Sequence, residues 1–218
     1  MKTDTGKRFF IALLTLCFCL ITMLSIYDPE YALTGVEETR LENPTLFVEE
    51  RADGVLYIGG KGKLTRNDID ELLLARDRAL DDFAHVIVGD GITEIAYQCF
   101  QAASGLETLW LGSGVEVIAN VAIKKCNDLR YIFLPSGLRR IGRDAFYACP
   151  NVIVVTDGAL DQLPRLRNVG EDRVLQHVDS YQAFEAALAA MNDGLPQGGE
   201  AEDAADATIP KALLQWWK

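Results

Sequence analysis

The chain offers few residues on which chemistry could be built. Its two histidines, His85 and His177, are far apart in sequence and neither has a motif partner. No His-Glu-x-x-His pattern sets up a hydrolytic metal site. Of the five cysteines, Cys17 and Cys19 lie in an apolar run, and Cys99, Cys126 and Cys149 are spread across the middle of the chain. They form neither a Cys-x-x-Cys pair nor a Cys/His cluster with zinc spacing. Leu111-Gly112-Ser113-Gly114 lacks the Gly-x-Ser-x-Gly frame of a nucleophile elbow. The glycines at 59, 60 and 62 fail as a phosphate loop, because Lys63 is followed by Leu64 where a Ser or Thr opening a helix is needed. They read as a turn. The acids are scattered over polar stretches. No catalytic residue, metal ligand or cofactor is therefore expected, and the chain reads as a non-enzyme. Only a triad assembled by the fold itself would revive catalysis.

What does recur is an apolar beat of 23 residues. Ile95, Ile118 and Ile141 are in step, as are Ile92, Val115 and Leu138. Phe100, Ile123 and Phe146 form a third series, Leu106, Leu129 and Val152 a fourth, and Leu109, Ile132 and Val155 a fifth. A fixed period in this range marks a solenoid, whose coils bury their apolar sides only by stacking on one another. Leu109-x-Leu111 and Ile132-x-Leu134 alternate inward, so each coil should supply one short strand to a parallel ladder. Gly91, Gly114 and Gly137 fall on the same beat and are expected to turn the chain with positive φ. Gly105, Asp128 and Asn151 are expected to do so at a second corner.

Within this frame the units read I-x-x-I-x-x-x-x-F-x-x-A, V-x-x-I-x-x-x-x-I-x-x-C and L-x-x-I-x-x-x-x-F-x-x-C. Ile141-Gly142-Arg143-Asp144-Ala145-Phe146-Tyr147-Ala148-Cys149 resembles the I-x-x-x-A-F-x-x-C pattern of BspA-type leucine-rich repeats. The resemblance covers Gly54 to about Val155; the second unit departs from it with Ile123 at the aromatic position. It implies a leucine-rich-repeat solenoid and an exported binding or adhesion module, with an extracellular protein or glycan as partner. A structural scaffold within a membrane complex is the alternative.

Elements on either side should close the stack. Leu46-Phe47-Val48 and Val55-Leu56-Tyr57-Ile58 read as a hairpin turned by Asp53-Gly54. A helix over about Asp68–Phe83 follows, with Asn67 as its cap. Beyond the coils, 157–191 reads as a second capping region. Its helix starts at an Asp179-x-x-Gln182 capping box and presents Phe184, Leu188 and Met191 on one face. The expected class is thus an α/β repeat with a hairpin-plus-helix cap over 46–85, coils over 86–156 and a helical cap over 157–191. A disordered acidic linker (192–208) and an apolar Trp-containing tail (209–218) are expected to complete it.

At the start, Lys2, Lys7 and Arg8 precede Phe9–Tyr27, nineteen residues without a charge. Residues 1–27 read as a transmembrane anchor or a signal helix, and 28–45 as a linker. Acids follow the run, which places the rest of the chain outside the cell, either on a single-pass anchor in the cell membrane or secreted. The formal net charge of -11 argues against nucleic acid as a partner. Cys126 and Cys149 hold equivalent places in neighbouring coils and are either a buried thiol stack or a disulfide.

If Leu109 and Leu111 point inward, alternate residues point out. The 23-residue period then gives two outer columns: His85, Thr108, Tyr131 and Val154, and Ile87, Trp110, Phe133 and Thr156. An apolar and aromatic face of this kind marks a contact site. Either a partner binds there, through His85, Ile87, Thr108, Trp110, Tyr131, Phe133 and Thr156, or the C-terminal helix of the same chain covers it.

Overall fold

A computed structural model describes residues 45–51, 54–158 and 166–193. The apolar run at Phe9–Tyr27, the acidic linker after 193 and the tail at 209–218 lie outside the described residues. Among those described, no helix is long and apolar enough to cross a membrane.

The coils stack as the period requires. Strands β4 (His85–Val88), β6 (Thr108–Leu111), β8 (Tyr131–Leu134) and β10 (Ile153–Thr156) lie parallel and adjacent in one sheet. Each coil adds a second short strand that the sequence pattern did not announce. These are β5 (Ile92–Ile95), β7 (Val117–Ile118) and β9 (Arg140–Ile141), which continue from β3 (Gly62–Leu64) as a second parallel sheet. Ile95, Ile118 and Ile141 pair across this sheet in a single column. Between the two sheets runs one apolar interior that includes Phe100, Ile123 and Phe146, and Leu106, Leu129 and Val152. The architecture is a β-solenoid of parallel strands, as the repeat implies.

The glycine expectation fails in an instructive way. None of Gly91, Gly114 and Gly137 has positive φ, and neither do Gly105, Asp128 and Asn151. A Cβ on Gly91 would collide with the carbonyl oxygen of Gly60, and one on Gly114 with that of Asp90. These glycines are small because the backbone of the preceding coil lies against them, not because the chain turns left-handed.

The left-handed positions lie elsewhere and have their own beat. Gln98, Val121 and Asp144 form one series, with φ of 58°, 50° and 56°; Ala102, Lys125 and Ala148 form the other, with φ of 57°, 63° and 59°. Two such residues four apart prevent the intervening segment from closing into a helix. Its N–H groups are left to bond the next coil. Phe100 N donates to Ala122 O at 2.7 Å and Ala102 N to Lys124 O at 2.8 Å. One coil on, Ile123 N donates to Ala145 O at 3.0 Å and Lys125 N to Tyr147 O at 2.9 Å. Backbone strain of about 1 kcal/mol at each non-glycine position is the cost of hydrogen bonding between coils on this side.

The last coil is one residue short. Tyr131 pairs with Ile153 and Phe133 with Val155, so Val154 rather than Val155 continues the interior column of Leu109 and Ile132. The missing residue falls between Val152, still in step with Leu129, and the start of β10. Ile153 and Val155 therefore take the outer positions expected of Val154 and Thr156.

At the N-terminal side β1 (Phe47–Glu50) and β2 (Val55–Gly59) pair antiparallel, and β2 then pairs parallel with β4. Gly54, at φ 71°, supplies the turn between them. Helix α1 is Arg66–Leu74, shorter than expected, and its cap is Thr65, not Asn67. Thr65 and Asp68 form a reciprocal capping box, with Thr65 Oγ1 donating to the Asp68 carboxylate at 2.6 Å. The chain leaves the helix at Ala75, and Leu80 and Phe83, which fall within the expected helix, reach the interior from a separate 3₁₀ turn (Leu80–Asp82). Beyond the coils, the sequence pattern missed β11 (Val174–Leu175), which extends the first sheet beside β10. Helix α2 is Tyr181–Asp193. It starts at Ser180, whose hydroxyl accepts from Ala183 N at 3.2 Å, one residue later than the expected Asp179.

The cysteines belong to the interior. Cys99, Cys126 and Cys149 are free and buried. Cys126 Sγ donates to Phe100 O at 3.0 Å and Cys149 Sγ to Ile123 O at 2.9 Å, which repeats one contact coil by coil. Burial pushes the Cys99 thiol well above its ordinary range, and the neighbouring Cys149 sulfur together with burial does the same to Cys126. Thiolate is the reactive form. The same Cys126 contact lowers the Cys149 thiol, so it is Cys99 and Cys126 that are expected in the folded chain to resist iodoacetamide at pH 8 and to be modified on addition of denaturant. Peptide mapping after alkylation checks this, and ready native labelling of Cys126 would contradict the buried stack.

Candidate functional site: an aromatic face beside an acid-lined cleft

The outer face of the seven-stranded sheet is apolar, as the alternation requires, but it is mostly covered. Ile87, Thr108, Tyr131, Phe133 and Thr156 are 1%, 2%, 2%, 5% and 1% exposed. Thr156 is inward-facing through the short last coil. Only His85 and Trp110 of the predicted set remain half-buried. The expectation of an open face thus gives way to its stated alternative over much of the sheet. Phe184 of α2 meets the Tyr131 ring edge-on at 5.3 Å and the Phe133 ring at 5.9 Å. With Val55, Ile87, Ile153, Val155, Leu175 and Val178 they form a second apolar cluster on the opposite side of the sheet from the interior. Leu188 and Met191 pack against its margin, on the helix face predicted for them.

Trp110 stands at the edge of this cluster. Its ring stacks on Phe133 with centroids 4.2 Å apart and planes 19° from parallel, a spacing that follows from their occupying one column of adjacent strands. Beside the pair, where β4, β6, β8 and β10 end, lies a cleft of about 260 Å³. Trp110 and Phe133 line one part of it, and its polar side chains include Asp90, Ser113, Asp157 and Asp179 besides Thr156. Sequence reading placed none of Asp90, Ser113, Asp157 and Asp179 at a binding site. Each lies just past a strand or before α2, and only the stacking of coils brings them to one rim.

Part of the rim is pinned by bonds between coils. Asp90 Oδ1 accepts from Ser113 N at 2.8 Å and from Ser113 Oγ at 3.0 Å. Asp157 Oδ1 accepts from Ser136 N at 2.9 Å. Among the described residues no lysine, arginine or histidine lines the cleft, so its field is negative. Ser113 donates its proton to a carboxylate and has no imidazole beside it, which is not the geometry of an activated nucleophile. His85 lies on the same sheet, within electrostatic reach of Glu107. Burial lowers its pKa against the opposing pull of that carboxylate, and its Nδ1 is buried without a hydrogen-bond partner among the described residues. His177 is exposed and contributes through its backbone, donating to Gly158 O at 3.1 Å. Among the described residues neither histidine is hydrogen-bonded to a serine, threonine or cysteine side chain. Among the described residues no group of three or more His, Cys, Asp or Glu is placed to hold a metal ion.

What the arrangement offers is recognition chemistry: a flat aromatic surface, apolar walls, and carboxylates that accept hydrogen bonds and favour positive charge. The family model for the BspA type Leucine rich repeat region matches residues 80–156, in six copies. These residues are a BspA-type leucine-rich repeat. Among solved structures, a leucine-rich repeat protein from Eubacterium ventriosum ATCC 27560 is similar at 15% identity and a TM-score of 0.34. The likeness covers 60% of this chain and 45% of that one, so the chain spans under half of that protein's length. No curated protein matches.

Proposed function

We propose that this chain is an exported, membrane-anchored, non-catalytic leucine-rich-repeat module that recognises an extracellular protein or glycan. The observation that carries the reading is the Trp110–Phe133 stack set against the acid-lined cleft on a rigid ladder of strands. Aromatic anchors of this kind dominate binding energy where they occur at contact sites. Export and anchoring rest on the charge-free run Phe9–Tyr27 behind Lys2, Lys7 and Arg8. In this reading the β1–β2 hairpin and α1 close one end of the coil stack, and β11, with Leu166 and Val169 packed against the interior, closes the other, because an open end would leave an apolar layer in water.

The test is Trp110→Ser in the full chain, assayed for saturable capture of extracellular proteins and on a glycan array. Because Trp110 is half-buried, unfolding stability should fall by about 2 kcal/mol while the fold persists. Capture should fall at least about tenfold. Lost stability with capture unchanged would mean that the aromatic column serves packing alone and would remove this face from the function.

A further inference from the structure

We propose that residues 209–218 of the same chain dock in the cleft beside Trp110, as an intramolecular strap across the outer face of the sheet. This concerns the chain alone and does not depend on the recognition reading. Three observations point to it.

The first is charge. The chain is strongly acidic, yet residues 209–218 carry Lys211 and Lys218 and no acid. The cleft carries Asp90, Asp157 and Asp179, and among the described residues no basic side chain lines it and none of the three forms an ion pair. The basic tail and the acidic cleft are complementary in sign.

The second is shape and polarity. Leu213, Leu214, Trp216 and Trp217 give the segment a large apolar and aromatic content in ten residues. Phe184 of α2 packs on the rings of β8, while Tyr57 of β2 and Trp110 of β6 lie at the margin of the outer cluster and are only half-buried. Indole rings suit such a margin, since they bury a broad apolar face and keep one polar N–H at the water side.

The third is reach. Helix α2 is itself on this face and ends at Asp193. Fifteen residues separate it from Ile209, and a chain of that length can span up to about 50 Å. The whole seven-stranded sheet is crossed in about 30 Å at a strand spacing of about 4.8 Å. Tethering then supplies the segment at an effective concentration of about 1 mM, so even a weak contact is mostly occupied.

The experiment uses the full chain with Trp110→Phe, which leaves Trp216 and Trp217 as its only tryptophans. Acrylamide quenching is compared with that of a free synthetic peptide of residues 207–218. The proposal expects quenching about fivefold weaker in the chain than in the peptide, independent of protein concentration. It expects that protection to be lost at high salt and in the added triple variant Asp90→Asn, Asp157→Asn, Asp179→Asn. Quenching equal to the free peptide's would overturn it. So would protection that grows with protein concentration, which would assign the site to a second copy, or protection indifferent to the three carboxylates. A second arm avoids altering the cleft. Full chain carrying Trp216→Ala and Trp217→Ala should bind the peptide saturably in calorimetry and the unaltered chain should not; equal binding by both refutes the strap.

Discussion

Replacing Gly114 by alanine should cost about 3 kcal/mol or more of unfolding free energy, whereas the same change at Gly137 should stay within about 1 kcal/mol. The two glycines are equivalent in the repeat, and neither requires positive φ. They differ in what the neighbouring coil does. A Cβ at 114 would intrude on the carbonyl oxygen of Asp90, with the Asp90 carbonyl carbon at 3.0 Å and the Ile92 oxygen at 3.2 Å. All three are backbone atoms held in the coil, so the intrusion cannot be relieved by a rotamer change. At 137 the nearest atom is Ser113 O at 3.5 Å, an ordinary contact. Urea denaturation of the two variants by circular dichroism gives both numbers. Equal costs at the two sites would mean that the coils can slide apart at this corner and that close approach is not what selects glycine there.

Phe100→Ala should be similarly severe, at about 3–5 kcal/mol, against less than about 0.5 kcal/mol for Tyr97→Ala three residues away. Phe100 is fully buried in the column it shares with Ile123 and Phe146, while the Tyr97 side chain is 60% exposed. The cavity left by Phe100 cannot easily collapse. The segment around it is fastened to the next coil by the bonds from Phe100 N and Ala102 N, and by Gln98 and Ala102 in the left-handed region. Thermal unfolding of both variants discriminates. A Phe100→Ala cost near that of Tyr97→Ala would show that the interior repacks and that the stacked column contributes little.

Between them these two expectations separate what was readable from residue types and what was not. The interior columns were readable because each is a local pattern repeated at a constant step, and burial of such a face has one inexpensive solution, stacking. The hairpin at Gly54 and the buried face of α2 were readable for the same kind of reason, since a turn residue or a helical stripe acts within a few positions of itself.

The corners were not readable, because glycine has two uses that look alike in sequence. Gly114 serves close approach to a backbone 24 residues earlier, and the left-handed work is done by Gln98, Val121 and Lys125, types that give no sign of it. Helix α1 ends early because a capping box at Thr65 and Asp68 and a turn after Ala75 override a longer apolar rhythm. The single-residue shortening before β10 exchanges inner and outer faces, since side chains in a strand alternate with period two.

From the sequence alone come the solenoid, its repeat family, its apolar interior and the aromatic series that includes Trp110 and Phe133. These follow from regularities along the chain, and hydrophobic burial turns a regularity into a stack. Only the tertiary structure decides which side chains remain at the surface. Phe184 arrives over Tyr131 and Phe133 from fifty residues away, and Asp90, Ser113, Asp157 and Asp179 meet at one rim only after the coils have stacked. A binding surface depends on contacts between distant segments, and no pattern along the chain records them.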